Sequence, residues 1–131
     1  MNAAAAPLHR VACVDDDPDI LAITKLALEE VGGLVVTDFP GSRAAIEGVA
    51  AAKPDLILMD VMMPEIDGPA ALRMLREGGS NVPVVFMTAR VQSHEIANYI
   101  ALGAAGVISK PFDPLTLAQK LDDIWRKAVE G

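Results

Sequence analysis

Five short apolar, β-branched runs alternate along the chain with longer stretches of helical periodicity. The runs fall at His9–Val14, Leu34–Thr37, Leu56–Met59, Pro83–Met87 and Gly106–Ser109. Three of them, VACV, LILM and VVFM, are nearly continuous in apolar character. Strands read this way when both faces of their sheet are covered, whereas a half-exposed strand alternates. Between the runs, residues 20–31 place apolar side chains at Ile20, Ile23, Leu26, Ala27 and Val31 and stop at Gly32-Gly33. Residues 42–52 are Ala-rich and stop at Lys53-Pro54. Asp67 is placed to cap a helix over 68–77, which Gly78-Gly79 ends. A fourth helix is expected over 92–102, stopping at Gly103. Asp113 followed by Pro114 predicts the start of a fifth, running to about Ala128, with Leu117, Leu121, Ile124 and Ala128 as its core stripe; Trp125 on the same helix reads as core packing, with partner contact as the alternative.

The sum is five β-α units. Strands joined by helices must run parallel, with right-handed crossovers, so the pattern predicts a three-layer α/β sandwich. In such sheets ligands sit outside the carboxyl ends of the strands. A length of 131 residues suits one domain, here residues 9–129 behind a flexible tail at 1–8. The start, MNAAAAPLHR, has no basic region followed by a long apolar stretch, so it reads as a tail and not a signal peptide. No apolar run reaches the roughly 20 residues of a membrane span. Cytoplasmic residence is the expectation.

Charge and cysteine usage narrow the classes further. The net charge of −7 argues against a direct nucleic-acid surface, which needs a basic patch. The single cysteine, Cys13, lies inside the first apolar run and reads as a small buried hydrophobe. One Cys and two His cannot build a zinc cluster.

The chemistry lies at the strand ends. Asp15, Asp16 and Asp17 follow the first strand, with Asp19 close behind. Asp60 follows the third, Thr88 the fourth and Lys110 the fifth. In a parallel sheet all of these project from one edge into one crevice. Adjacent carboxylates repel, by roughly 4 kcal/mol for a pair about 4 Å apart at an effective dielectric of about 20. Something of opposite charge has to offset that repulsion.

In the acidic pair Asp15-Asp16, the stretch DVMMPEIDG from Asp60, Thr88-Ala89 and Lys110-Pro111-Phe112, the sequence resembles the receiver domain of two-component response regulators. The likeness covers essentially residues 9–129. It implies a doubly wound, flavodoxin-like sheet in the order 2-1-3-4-5. It also implies a phosphoryl acceptor at Asp60. Mg²⁺ would be held by Asp16 and Asp60 directly, by Asp15 largely through water, and by the Met62 carbonyl. Lys110 would pair with Asp60 or its phosphoryl group, across a Lys110-Pro111 bond resembling the family's cis peptide. Thr88 would sense the phosphoryl group, Ala89 would keep the approach open, and Gly68 would turn the loop after Asp60 into its helix. The implied partners are a sensor histidine kinase or histidine phosphotransfer protein, and an output protein on the face of the fourth helix, fifth strand and fifth helix. The chain would be a bacterial phosphoprotein, monomeric or weakly dimeric, either standing alone or cut from a longer hybrid kinase or regulator. It would be no enzyme in the ordinary sense, although phosphotransfer and autodephosphorylation would be self-catalysed.

The sequence departs from the family at Val107, where many members carry an aromatic side chain. Valine has one stiff χ1 and no ring to swing, so coupling from Thr88 is expected through loop and helix movement or through Tyr99. Met62 and Arg90, each two residues beyond a site residue, are placed to set the lifetime of a phosphoryl group. Asp17 and Asp19 read as an N-terminal helix cluster, and Pro64, Asp67 and Pro69 as turn and cap chemistry. His9 and His94 read as surface residues. Two other classes compete. A haloacid-dehalogenase-type phosphatase would use Asp15 and Asp17 as a D-x-D pair, but Asp19 stands where that motif wants Thr or Val. A flavodoxin-like FMN carrier would want a hydroxyl-rich loop where this one is acidic.

Overall fold

A computed structural model describes residues 7–130. Five parallel strands, β1 (Arg10–Val14), β2 (Val35–Phe39), β3 (Leu56–Asp60), β4 (Val84–Thr88) and β5 (Gly106–Ser109), form one sheet. Their order is β2-β1-β3-β4-β5. The helices are α1 (Pro18–Leu26), α2 (Ser42–Ala52), α3 (Gly68–Glu77), α4 (Ser93–Ala101) and α5 (Leu117–Glu130). A π-helical turn, Ala27–Val31, continues α1. The expected α/β sandwich and strand order are both present. β3 and β4 are buried at every position, as their unbroken apolar runs require.

Two cores lie on opposite faces of the sheet. Strand residues Val11, Cys13, Leu56, Leu58, Val85 and Met87 meet α1 and α5 through Leu21, Leu117, Leu121 and Trp125. Their sequence neighbours Ala12, Val14, Ile57, Met59, Val84 and Phe86 meet α2 and α3 through Ala45, Val49, Leu72 and Leu75. The two-residue period of the strands sorts side chains between the cores. Burial pushes the Cys13 thiol up, as fits a packing residue.

Four sequence expectations need correction. Leu8, assigned to the tail, is 6% exposed and belongs to the α1/α5 core; residues 1–6 lie outside the described residues. The apolar face of α1 is rotated: Leu21, Thr24, Ala27 and Leu28 are buried, while Ile23, Leu26 and Val31 are exposed. A threonine inside the true stripe weakens its apolar signal, and periodicity then favours the neighbouring face. The fifth helix begins at Leu117 and not at Pro114. Asp113 instead caps a turn, accepting the Leu115 N–H at 2.9 Å, before the helix starts. On α5, Ala128, expected in the core stripe, is exposed, whereas Trp125 is buried as its core reading expects. Other boundaries shift by one or two residues, the usual play of helix and strand ends.

α3 approaches the site edge closely at Gly68, its first residue. A Cβ there would lie 2.8 Å from the Asp60 carbonyl oxygen and 3.0 Å from both Phe86 and the Val61 Cα. Backbone atoms cannot step aside as a side-chain tip can. Gly68→Ala is therefore expected to cost about 1–3 kcal/mol in urea unfolding. Gly78→Ala, at the other end of α3 where the nearest atom is 3.4 Å away, should stay within about 0.5 kcal/mol.

Candidate functional site

The sheet register assembles the site. Asp60 ends β3 and pairs with Met87 of β4, while Thr88 ends β4 and pairs with Ser109 of β5. Asp15 directly follows β1, where its N–H reaches the Phe39 carbonyl at 3.2 Å. The Lys110 N–H bonds the Thr88 carbonyl at 2.9 Å, so the ladder continues one residue past β5. The peptide bond between Lys110 and Pro111 is cis, as the resemblance implies. Four strands thus deliver one chemical group each to one edge.

Lys110 holds the acids together. Its Nζ lies 3.1 Å from Asp60 Oδ1 and 3.2 Å from Asp15 Oδ2. Carboxylate oxygens of Asp15, Asp16 and Asp60 can all lie within 4.8 Å of one another. Asp15 and Asp60 are buried, whereas Asp16 is exposed at the mouth. Three carboxylates face one ammonium, so negative charge is in excess. Burial, then the charge of Asp15, pushes the Asp60 carboxyl up; Lys110 and the Met62 backbone pull it partly back. For Lys110, burial pulls the ammonium down, but the two carboxylates outweigh it and the net direction is up. The donor set fits a hard divalent cation: three carboxylates lie close together, in excess of the one ammonium beside them.

Thr88 is 3% exposed, and its hydroxyl accepts the Arg90 N–H at 3.0 Å. Arg90 and Met62, two residues beyond Thr88 and Asp60, are both exposed, Met62 at 69%. Asp17 lies apart from the cluster's chemistry. It caps α1, accepting from Asp19 N at 2.9 Å and from Ile20 N at 3.4 Å, which removes the second acid that a D-x-D phosphatase would need. Asp67 caps α3 through the Ala70 N–H. His9 and His94 are exposed. Val107 is half-buried on β5. Tyr99 of α4 packs edge-on against Phe86 of β4, ring centres 5.4 Å apart. Sequence reasoning missed two features near the site. Ser42 ties the start of α2 to the loop after β3 through the Ile66 carbonyl at 2.8 Å, and Thr24 is buried beneath the acids. A small polar residue in a helix carries no pattern that marks either role.

The raised Asp60 carboxyl fixes a sign. The folded state binds that proton more tightly than the unfolded chain, so ionising Asp60 costs stability as pH rises above its ordinary 3.8. Asp60→Asn is therefore expected to raise the melting temperature in EDTA by a few degrees, on the order of 1 kcal/mol. The gap over the wild type should widen between about pH 4 and pH 7. Thermal unfolding across that range checks it, and a constant or negative gap contradicts it.

Residues 11–122 match the family described as the response regulator receiver domain. The transcriptional regulatory protein CseB of Streptomyces coelicolor is 36% identical over 117 residues, which is 89% of this chain and 49% of that protein. The sensor protein GacS of Pseudomonas syringae is also 36% identical, over 84% of this chain but only 13% of its own length. The chain thus spans about half the length of the first of these relatives and a small part of the second. The solved receiver domain of the Francisella response regulator 1452 superposes with a TM-score of 0.82 at 26% identity, covering 94% of this chain and 99% of that one. An acidic pocket at the carboxyl edge of a 2-1-3-4-5 sheet is what such a fold is built to present, and the chain belongs to the receiver domain family of two-component response regulators.

Proposed function

We propose that residues 9–129 act as one receiver unit in which Asp60 accepts a phosphoryl group from a phosphohistidine of a sensor kinase or phosphotransfer protein. The observation that carries this reading is the placement of Asp60 between Lys110 and the two acids after β1. An Asp60 carboxylate oxygen attacks phosphorus, the O–P bond forms as the N–P bond of the donor breaks, and the leaving imidazole takes up a proton. Asp16, Asp60 and the Met62 carbonyl would hold Mg²⁺, with Asp15 acting largely through water. Bound there, the ion neutralises charge on the transferring phosphoryl oxygens. Lys110, already 3.1 Å from Asp60 Oδ1, is positioned to pair with the phosphoryl group.

The Thr88 hydroxyl supplies the switch. Its oxygen accepts the Arg90 N–H, which leaves its proton to be donated to a phosphoryl oxygen. That donation draws in the loop after β4 and biases α4, which has no fully buried residue of its own. Without a ring at Val107, the packing of Tyr99 on Phe86 offers the aromatic contact between β4 and α4. The output partner would then read the face of α4, β5 and α5. Matches to half of a transcriptional regulator and to a small part of a sensor protein suit a receiver unit used in different protein settings. No helix among the described residues is long and apolar enough to cross a membrane. The expectation of a cytoplasmic, monomeric or weakly dimeric protein belongs to this same reading.

Incubation with acetyl phosphate and Mg²⁺, followed by intact mass, tests the acceptor. The wild type should gain one phosphoryl group, and neither Asp60→Asn nor wild type in EDTA should gain any. Gain by Asp60→Asn would move the acceptor elsewhere. Met62→Ala and Arg90→Ala should each change the rate of phosphoryl loss severalfold, because both are exposed side chains two residues beyond a site residue. Their Mg²⁺ affinity should stay within about twofold of wild type, since neither change removes a carboxylate. An unaltered half-life would exclude that side chain from shielding the site.

A further inference from the structure

Thr24 lies on the buried face of α1, 2% exposed, among otherwise apolar side chains. Its hydroxyl oxygen is buried and has no hydrogen-bond partner among the described residues. A threonine inside a helix ordinarily satisfies its hydroxyl on the carbonyl one turn back, so an unpartnered one in a core needs a reason. Beside it is a cavity of about 10 Å³, at the lower bound of roughly 10–15 Å³ that one water requires. Cys13, Val14, Leu21, Leu58 and Met87 form its apolar walls, and its polar lining is Thr24, Asp15 and Asp60. The cavity is therefore lined by both buried acids of the cluster together with Thr24.

We propose that this cavity is a built site for one water, which accepts the Thr24 O–H and donates its two protons to Asp15 and Asp60. The bookkeeping closes. The hydroxyl gains its partner, the water makes three hydrogen bonds, and each carboxylate has lone pairs beyond those used by Lys110, by the Asp17 N–H at Asp15 Oδ1 and by the Met62 backbone at Asp60. Thr24 is then a positioning residue. Through the water it holds both carboxylates from below, while Lys110 holds them from the side, so their free oxygens face the mouth. This deepens the proposed phosphoacceptor role and rests on it only for the kinetic consequence.

The test uses Thr24→Val, which keeps the shape and removes the hydroxyl, and Thr24→Ser, which keeps the hydroxyl. A high-resolution crystal structure of the wild type should show a water within hydrogen-bond reach of Thr24 Oγ1 and of both carboxylates. In EDTA, Thr24→Val should lower the melting temperature by about 3–6 °C, because the water loses a partner, and Thr24→Ser should recover most of it. Phosphorylation by acetyl phosphate should slow severalfold in Thr24→Val and recover in Thr24→Ser. A dry cavity overturns the proposal. So does a rise in the melting temperature of Thr24→Val, the result expected when an unpartnered hydroxyl is simply replaced by a methyl group. The crystal and EDTA measurements need no phosphorylation, so a wild type that accepts no phosphoryl group would refute the acceptor role and leave this site to stand or fall separately.

Discussion

The Lys110 ammonium between Asp15 and Asp60 is the contact on which the rest of the site depends. Two buried carboxylates that close would otherwise drive each other to protonate or push the strand ends apart. Lys110 offsets part of that repulsion but cannot offset all of it, since Asp16 adds a third acid at the mouth. The imbalance is useful. A fully neutralised cluster would have no affinity left for a cation or for a transferring group, whereas an underneutralised one is poised to gain from either. Its cost is carried by the two hydrophobic cores, which bind the five strands from both faces.

The sheet converts sequence into geometry. Asp15, Asp60, Thr88 and Lys110 are far apart in the chain, and no local interaction brings them together. Parallel register does so, because each residue stands at or just beyond the same end of its strand. Loop chemistry then fixes the surroundings. Asp17 and Asp67 cap the helices that leave the site, and Gly68 lets α3 approach the Asp60 backbone more closely than any side chain permits. Among the acids at this edge, Asp15 and Asp60 meet Lys110, whereas Asp17 and Asp67 are satisfied by N–H groups at helix starts.

The same division bears on signalling. α1 and α5 rest on one core and are anchored by Leu21, Leu28, Leu117, Leu121 and Trp125. α4 has no fully buried residue and leans on the sheet through the half-buried Tyr99. A perturbation at Thr88 meets least resistance in that direction, since fewer apolar contacts hold α4 in place. On the proposed reading, the element that responds is the one the core holds least.

Much of this protein was legible in its residues alone. Unbroken apolar runs identified strands covered on both faces, glycines and prolines marked where helices stop, and the acids, hydroxyl and lysine after successive runs pointed to one crevice. Those signals are local, or depend only on the rule that β-α units make parallel sheets. Packing decided the rest. Leu8, just before β1, joins the core because β1 is an interior strand flanked by β2 and β3. The face that α1 buries includes Thr24, so the helix follows the shape of the sheet beneath it and not its own strongest apolar stripe. The partners of Lys110 and the lone hydroxyl of Thr24 are likewise tertiary facts. Periodicity reports how apolar a face is, but which face is buried, and which charge meets which, follows from distances that only the folded chain defines.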